Sequence, residues 1–261
     1  MKILFIGDIV GKPARLYLQE ALFGLRDELQ LDLVVANGEN ASGGSSITPS
    51  TAQELFSSGI DVLTSGDHIF KKKESRQTLE EMDVVRPLNY GELAWGSGVL
   101  IKEVKGIPVA VVNLLGRVFM QPVDCPFKAI RDLLPQLKDK AKIIMVDMHA
   151  EATSEKLAMG YFLTGKVSAV IGTHTHIPTA DARIIDGVTA YITDVGMTGS
   201  FNSILGREKY QIIERFLTNM PLRFNLANSD VRIQAVLIEV EEATGRALTI
   251  QRIERRKDIE D

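Results

Sequence analysis

Short, mostly apolar runs recur along this chain, and each stops at small or polar residues. Ile3 to Ile6 precedes Gly7-Asp8, Leu33 to Ala36 precedes Asn37-Gly38-Glu39-Asn40, and Val62 to Thr64 precedes Gly66-Asp67-His68. Further on, Ile143 to Val146 leads to Asp147-Met148-His149, and Ala169 to Ile171 leads to Gly172-Thr173-His174-Thr175-His176. Runs of this length bounded by turn residues read as buried strands. Between them lie helical patterns from about Ala14 to Leu29, from Thr48-Pro49 onward, and from Lys71 to Met82. Thr48 is a capping residue, and Pro49 takes the first helical position, where its missing N–H has no partner to lose. This βαβ rhythm implies parallel pairing and right-handed crossovers.

Two stretches break the rhythm. Val99 to Val104 and Pro108 to Leu114 flank Lys105-Gly106 with no room for a helix, and Ile233 to Val240 and Ala247 to Ile253 flank Thr244-Gly245 in the same way. Each reads as an antiparallel hairpin. Two hairpins beside a parallel series predict a second sheet packed on the first. Helices over Phe127 to Leu137, Ser154 to Leu163 and Arg207 to Asn219 are expected to cover the outer faces, and the charged run Arg252 to Asp261 reads as a solvated tail.

Composition narrows the classes. The chain has 261 residues, 45% of them hydrophobic, enough for one large α/β domain or two small ones. No boundary demands two, so a single domain over 1–261 is expected. A formal net charge of -4 argues against a broad nucleic-acid binder, which needs surplus Lys and Arg, but permits a small anionic substrate. Cys125 is the only cysteine, which excludes an internal disulfide framework and a Cys-rich zinc site and makes the cytoplasm the expected compartment. The apolar start is far too short for a signal peptide, and no segment approaches the ~18 apolar residues of a spanning helix.

The candidate chemistry lies at the ends of the runs. All four histidines, His68, His149, His174 and His176, stand three to five residues past an apolar run. In open α/β sheets ligands bind in the crevice at the carboxyl ends of strands, so such residues converge although distant in sequence. Asp8, Glu39, Asp67 and Asp147, the amide of Asn40 and four imidazoles would gather at one edge. That much anionic oxygen repels itself unless cations neutralise it. Imidazole and carboxylate donors without thiolate suit iron, manganese or zinc better than magnesium or calcium. Glycine before Asp8, Glu39 and Asp67 allows a tight turn and close backbone approach. His174 and His176, alternating on an extended segment, would project to one side, although either ring could be a satisfied core histidine. Arg117 reads equally as a phosphate clamp or a surface ion-pair partner. Lys71-Lys72-Lys73 reads as an exposed first helical turn, and Asp194 as support for a ligand histidine or as a turn.

Taken together, these segments resemble the calcineurin-like metallophosphoesterases and, among them, the YmdB-like cyclic-nucleotide phosphodiesterases. The resemblance spans nearly the whole chain. It is carried by Gly7-Asp8-Ile9-Val10-Gly11, Asn37-Gly38-Glu39-Asn40, Gly66-Asp67-His68, Arg86-Pro87-Leu88-Asn89-Tyr90, Asn113-Leu114-Leu115-Gly116-Arg117, His149-Ala150-Glu151-Ala152-Thr153-Ser154-Glu155-Lys156 and Gly172-Thr173-His174-Thr175-His176. It implies a four-layer α/β/β/α sandwich holding two divalent or trivalent metal ions, iron or alternatively manganese. Asp8, Glu39, Asn40 and His176 match the ligands of one ion; Glu39, Asp67, His149 and His174 match those of the other, with Glu39 bridging. His68 matches the proton donor. The implied reaction is hydrolysis of a 2',3'- or 3',5'-cyclic nucleotide to a nucleoside monophosphate by metal-activated water. Where the family usually has Gly-Asn-His, this chain has Gly66-Asp67-His68. The extra charge is expected to tighten metal binding and to repel a phosphate oxyanion.

Two other functions compete: a general phosphomonoesterase or phosphodiesterase on the same metals, and a regulatory RNA-associated protein with a vestigial site. The intact ligand set opposes the vestigial reading. The sheet edges of the terminal hairpins make a homo-oligomer plausible, and no membrane partner is expected.

Overall fold

The computed structural model describes residues 1–257. In chain order its elements are β1 (Lys2–Ile6), β2 (Asp8–Ile9), α1 (Gly11–Leu29), β3 (Leu33–Asn37), α2 (Pro49–Ser57), β4 (Val62–Thr64) and α3 (Ser75–Glu81). There follow β5 (Val99–Val104), β6 (Ile107–Leu115), α4 (Pro126–Lys140), β7 (Ile143–His149), α5 (Thr153–Leu163) and β8 (Ala169–Thr173). The last part holds β9 (Arg183–Ile185), β10 (Thr189–Ile192), β11 (Met197–Ser200), α6 (Lys209–Thr218), β12 (Val231–Val240) and β13 (Ala247–Arg256).

The strands form two sheets. One has the order β2-β11-β12-β1-β3-β4, with β13 paired to β12; the other runs β5-β6-β7-β8-β10-β9. Three apolar clusters separate four layers. Leu18, Leu22 and Leu55 pack the first sheet against α1 and α2. Ile3, Phe5, Val35, Val111, Met145 and Ile171 fill the space between the sheets. Ile130, Leu134 and Met159 pack α4 and α5 on the far face of the second. Each fully buried side chain of this size contributes about 1.5–3 kcal/mol, so the inter-sheet layer is the main bond between the halves. This is the α/β/β/α sandwich that the resemblance implies. Among the described residues no helix is long and apolar enough to cross a membrane.

Local signals explain much of this. Thr48 caps α2 through a reciprocal capping box with Thr51, followed by Pro49. Both predicted hairpins form, β5 against β6 and β12 against β13. The partition between sheets differs from the expectation: the parallel series itself is split, with β1, β3 and β4 in one sheet and β6, β7, β8 and β10 in the other. The terminal hairpin enters the first sheet by pairing β12 antiparallel to β1.

Three element predictions need correction. The helix expected from Lys71 is a 3₁₀ turn at Ile69–Lys71, and α3 starts only at Ser75. Helix α6 buries Ile212 but leaves Tyr210, Phe216 and Leu217 exposed, so it covers no sheet face. Within the run expected to be a tail, Arg252 to Arg256 extends β13; residues 258–261 lie outside the described residues.

Candidate metal centre

The strand ends of both sheets meet at one edge. From the first sheet, Asp8 opens β2 one residue past β1, Glu39 and Asn40 follow β3, and Asp67 and His68 follow β4. From the second, His149 closes β7, and His174 and His176 follow β8. All seven metal-ligand candidates and His68 are brought together.

Glu39 is central and buried. Its Oε1 lies 3.3 Å from His149 Nε2 and 3.3 Å from His68 Nδ1, and accepts from Asn40 Nδ2 at 3.0 Å. Oε2 accepts from the His68 backbone N–H at 3.1 Å. Asp67 Oδ1 is 3.4 Å from His149 Nε2 and 3.7 Å from His174 Nδ1. His149 Nε2 and His174 Nδ1 face each other at 3.0 Å. Single donor atoms of Glu39, Asp67, His149 and His174 all fall within 4.8 Å of one another.

Beside this group stand the other candidates. Asp8 Oδ1 is 3.9 Å from His149 Nδ1 and 3.8 Å from His176 Nε2, while Asp8 Oδ2 accepts from the His174 backbone N–H at 3.1 Å. Asn40 turns Nδ2 toward His176 Nε2 at 3.3 Å and Oδ1 toward His68 Nδ1 at 3.2 Å. Only the amide oxygen can ligate a cation, so Asn40 must rotate its amide to serve beside His176.

Two observations test whether cations fit. Asp8 Oδ1 and Asp67 Oδ1 are buried without a hydrogen-bond partner, one in each of the two ligand sets that the resemblance implies. Buried anionic oxygen of this kind is costly unless paired with a cation. The titration pattern agrees. Burial, with Glu39 and Asp194 nearby, pushes Asp8 up to about 7 against the pull of His149. Burial opposes the charge on His149, yet Glu39, Asp67 and Asp8 hold its pKa well above the ordinary imidazole value. Burial and the neighbouring His149 lower His174 to about 4. The Glu39, Asp67 and Asp8 carboxylates thus favour positive charge at His149, in the middle of the donor group. A bound cation would supply that charge.

The backbone is shaped to allow these approaches. A Cβ on Gly66 would lie 2.3 Å from Glu39 Oε2 and from His149 Nε2, and one on Gly7 2.2 Å from the Gly196 carbonyl. Close approach is therefore what these two positions require. The segment after β8 is not extended as expected: His174 has φ of +102° and His176 of +64°. These unfavourable conformations are fixed by the Asp8 carboxylate on the His174 N–H and by Asp194 Oδ2 on the Thr175 N–H at 3.0 Å.

Sequence reasoning missed the support beneath the site. Asp147, expected at the reactive edge, is instead buried below His149 and accepts from Asn37 Nδ2 at 3.0 Å, Thr64 Oγ1 at 2.5 Å and Thr173 Oγ1 at 2.6 Å. Thr173 Oγ1 in turn lies 2.9 Å from His149 Nδ1, which leaves Nε2 for the site. Only period-2 counting back from His149 could have signalled this placement. Asp194 is no simple turn: it is fully buried, pairs with Lys156 at 2.6 Å and also anchors the histidine loop. Lys156 and Glu155 were visible in the motif after His149, but their partners were not. Arg117 is exposed, makes no ion pair among the described residues and lines a 480 Å³ cavity with Asn89 and Lys128. Lys72 is tied to Ser42, while Lys71 and Lys73 are exposed.

Residues 4–253 match the family model described as YmdB-like protein. The chain belongs to the YmdB-like family. It is 42% identical over 254 residues to the 2',3'-cyclic-nucleotide 2'-phosphodiesterase of Bacillus subtilis, covering 97% of this chain and 96% of that protein. Among solved structures, a hypothetical protein from Thermus thermophilus superposes with a TM-score of 0.94 at 41% identity, over 99% of this chain and 100% of that one. A Mycoplasma pneumoniae protein described as a novel phosphatase gives a TM-score of 0.93 at 34% identity, over 99% and 94% of the two chains. The resemblance read from the strand-end motifs is thus a family membership that extends across the YmdB-like fold.

Proposed function

We propose that this chain is a dinuclear-metal phosphodiesterase that opens cyclic nucleotides, 2',3'- or 3',5'-linked, to nucleoside monophosphates. The observation that carries this reading is the pair of buried carboxylate oxygens that accept no hydrogen bond, Asp8 Oδ1 and Asp67 Oδ1, both within 4 Å of His149 ring nitrogens. Asp8, Glu39, Asn40 and His176 would hold one ion, and Glu39, Asp67, His149 and His174 the other. Nitrogen and oxygen donors favour iron, or manganese, in this place. When bound, two such ions lower the pKa of a water and neutralise charge on the phosphoryl oxygens. The activity of the Bacillus relative supports the substrate class.

His68 supplies the remaining chemistry. It sits at the rim, 36% exposed, where a leaving oxygen can reach it. The hydrogen bond to Glu39 raises its pKa against the opposing effect of burial, with Asp67 adding to the rise. These contacts hold a proton on the ring more firmly than on a free imidazole, the direction a general acid needs. Nδ1 is engaged by Glu39 and Asn40, so Nε2, 3.7 Å from Asp67 Oδ2 and beyond hydrogen-bond range of it, is the nitrogen to protonate the departing sugar oxygen.

A second reading, a general phosphoesterase on the same ions, draws on the Mycoplasma neighbour described as a phosphatase. Elemental analysis of anaerobically purified protein, paired with rates on 2',3'-cyclic, 3',5'-cyclic and linear esters, separates the two. Turnover should track bound iron or manganese and favour a cyclic ester. Turnover independent of metal overturns the proposal, and preference for linear monoesters transfers it to the second reading.

A further inference from the structure

The segment after β6 begins at the rim of the metal centre. Leu115 is the register partner of His149, and the Gly116 N–H donates to the His149 carbonyl at 2.9 Å. The loop that follows is pinned at both ends by one buried side chain: Asn89 Nδ2 donates to the carbonyls of Leu115 and Asp124, each at 2.8 Å, and Asn89 Oδ1 accepts from the Leu115 N–H. The Glu155 carboxylate accepts from the backbone N–H groups of Arg117 and Val118. Met120 N–H to the Arg117 carbonyl, at 3.3 Å, closes the turn. Gln121 donates to the Tyr90 hydroxyl.

At the tip of this braced loop stands Phe119, which is 90% exposed with φ of +63°. Both facts run against its chemistry, because phenyl rings prefer burial and bulky L-residues avoid left-handed backbone. Strain of this kind persists where surrounding structure imposes it, and it clusters at ligand clamps. Four residues span at most ~14 Å, so the backbone of Phe119 stays within that reach of Leu115, the strand end that pairs with His149.

We propose that Phe119 is a nucleobase platform, on which the base of a cyclic nucleotide stacks while its phosphate lies at the metal centre. This rests on the phosphodiesterase reading above. A phenyl ring offers nothing to a phosphate, but every base presents a π-face, and stacking on an aromatic residue tolerates any of them. Stacking does not depend on charge, so it is open to a protein whose formal net charge is -4.

The test compares adenosine 2',3'-cyclic phosphate with base-free methyl riboside 2',3'-cyclic phosphate. Phe119→Ala should raise KM for the adenosine compound about tenfold and leave both kcat and the base-free substrate unchanged, while Phe119→Tyr should behave as wild type. Phe119→Gly, which accepts positive φ freely, should match or exceed wild-type Tm while showing the same KM defect. Phe119→Trp fluorescence should change saturably with adenosine 2'-monophosphate. Equal losses on both substrates, or unchanged KM with unresponsive Trp fluorescence, overturn the platform. Wild-type enzyme that turns over neither substrate overturns the 2',3'-cyclic form of the phosphodiesterase reading, and the platform with it.

Discussion

His68 and Asp67 are adjacent, and the chemistry separates them. His68 touches Glu39 and Asn40 yet is absent from the four-donor group, so its replacement should spare the metals. His68→Ala is expected to retain metal by elemental analysis and to lose about a hundredfold to ten-thousandfold in kcat. The loss should be smaller on an activated aryl ester than on a cyclic nucleotide, whose leaving group needs the proton; equal losses would refute the donor role. Asp67 brings an additional anionic oxygen to the His149–His174 pair. Asp67→Asn should lose metal faster under chelator and bind substrate with lower KM, because the amide removes a charge that attracts cations and repels phosphate. A variant that moves neither quantity contradicts this. Both side chains were legible in the sequence as strand-end residues. Asp147 was legible only as a residue, since its side chain points at Thr64 and Thr173 from other strands and no local pattern specifies them.

At the scale of elements, the loop after β8 shows how two histidines proposed as ligands are held in unfavourable backbone conformations. Asp194, at the end of β10, accepts from the Thr175 and Gly196 N–H groups and pairs with Lys156 from α5. Two elements, β10 and α5, thus fix one loop through a single buried carboxylate. Removing the cation leaves that carboxylate uncompensated, so Lys156→Met should cost about 3–5 kcal/mol in urea unfolding and weaken metal retention. Adding Asp194→Asn should recover part of the stability but not the metal affinity, since the loop anchor weakens further. Helix boundaries were read well where caps exist, as at Thr48-Pro49. They were read poorly after His68, where Lys72 reaches back to Ser42 and the chain turns through a 3₁₀ segment before α3 begins. The extended geometry expected for His174 to His176 failed because tertiary hydrogen bonds override local preference there.

Across the whole molecule, the centre joins the two sheets: Asp8, Glu39 and Asp67 come from one, His149, His174 and His176 from the other. Cations that bind this edge bind only the packed sandwich, so metal and stability are linked. At a hundredfold excess over Kd each ion adds about 2.7 kcal/mol, and chelator should lower Tm reversibly; an unchanged Tm would show that no ion bridges the sheets. Asp147 governs a pH dependence in the metal-stripped protein. Burial raises it from 3.8 to about 6, with Asp8 adding to the rise and His149, Thr173 and Thr64 opposing it. Folding favours its protonated form, so its contribution is full below its unfolded value and is lost as pH rises through about 6. The loss is roughly 3 kcal/mol. Asp147→Asn abolishes this titration, so the stability of the variant relative to wild type should climb by up to that amount between about pH 4 and pH 7 in urea titrations. A flat difference would contradict it.

The sequence by itself determined most strands, most helices, both hairpins and the residue types at the reactive edge. These follow from apolar periodicity, turn residues and caps, which act over a few positions. Only the tertiary structure decided which strands share a sheet, because buried parallel strands carry interchangeable apolar faces and pairing is a long-range choice. It also decided which oxygens end without partners, which backbone is strained to aim His174 and His176, and that Asp147, Lys156 and Asp194 brace the site. Those are contacts between residues far apart in the chain, and distance in sequence carries no record of them.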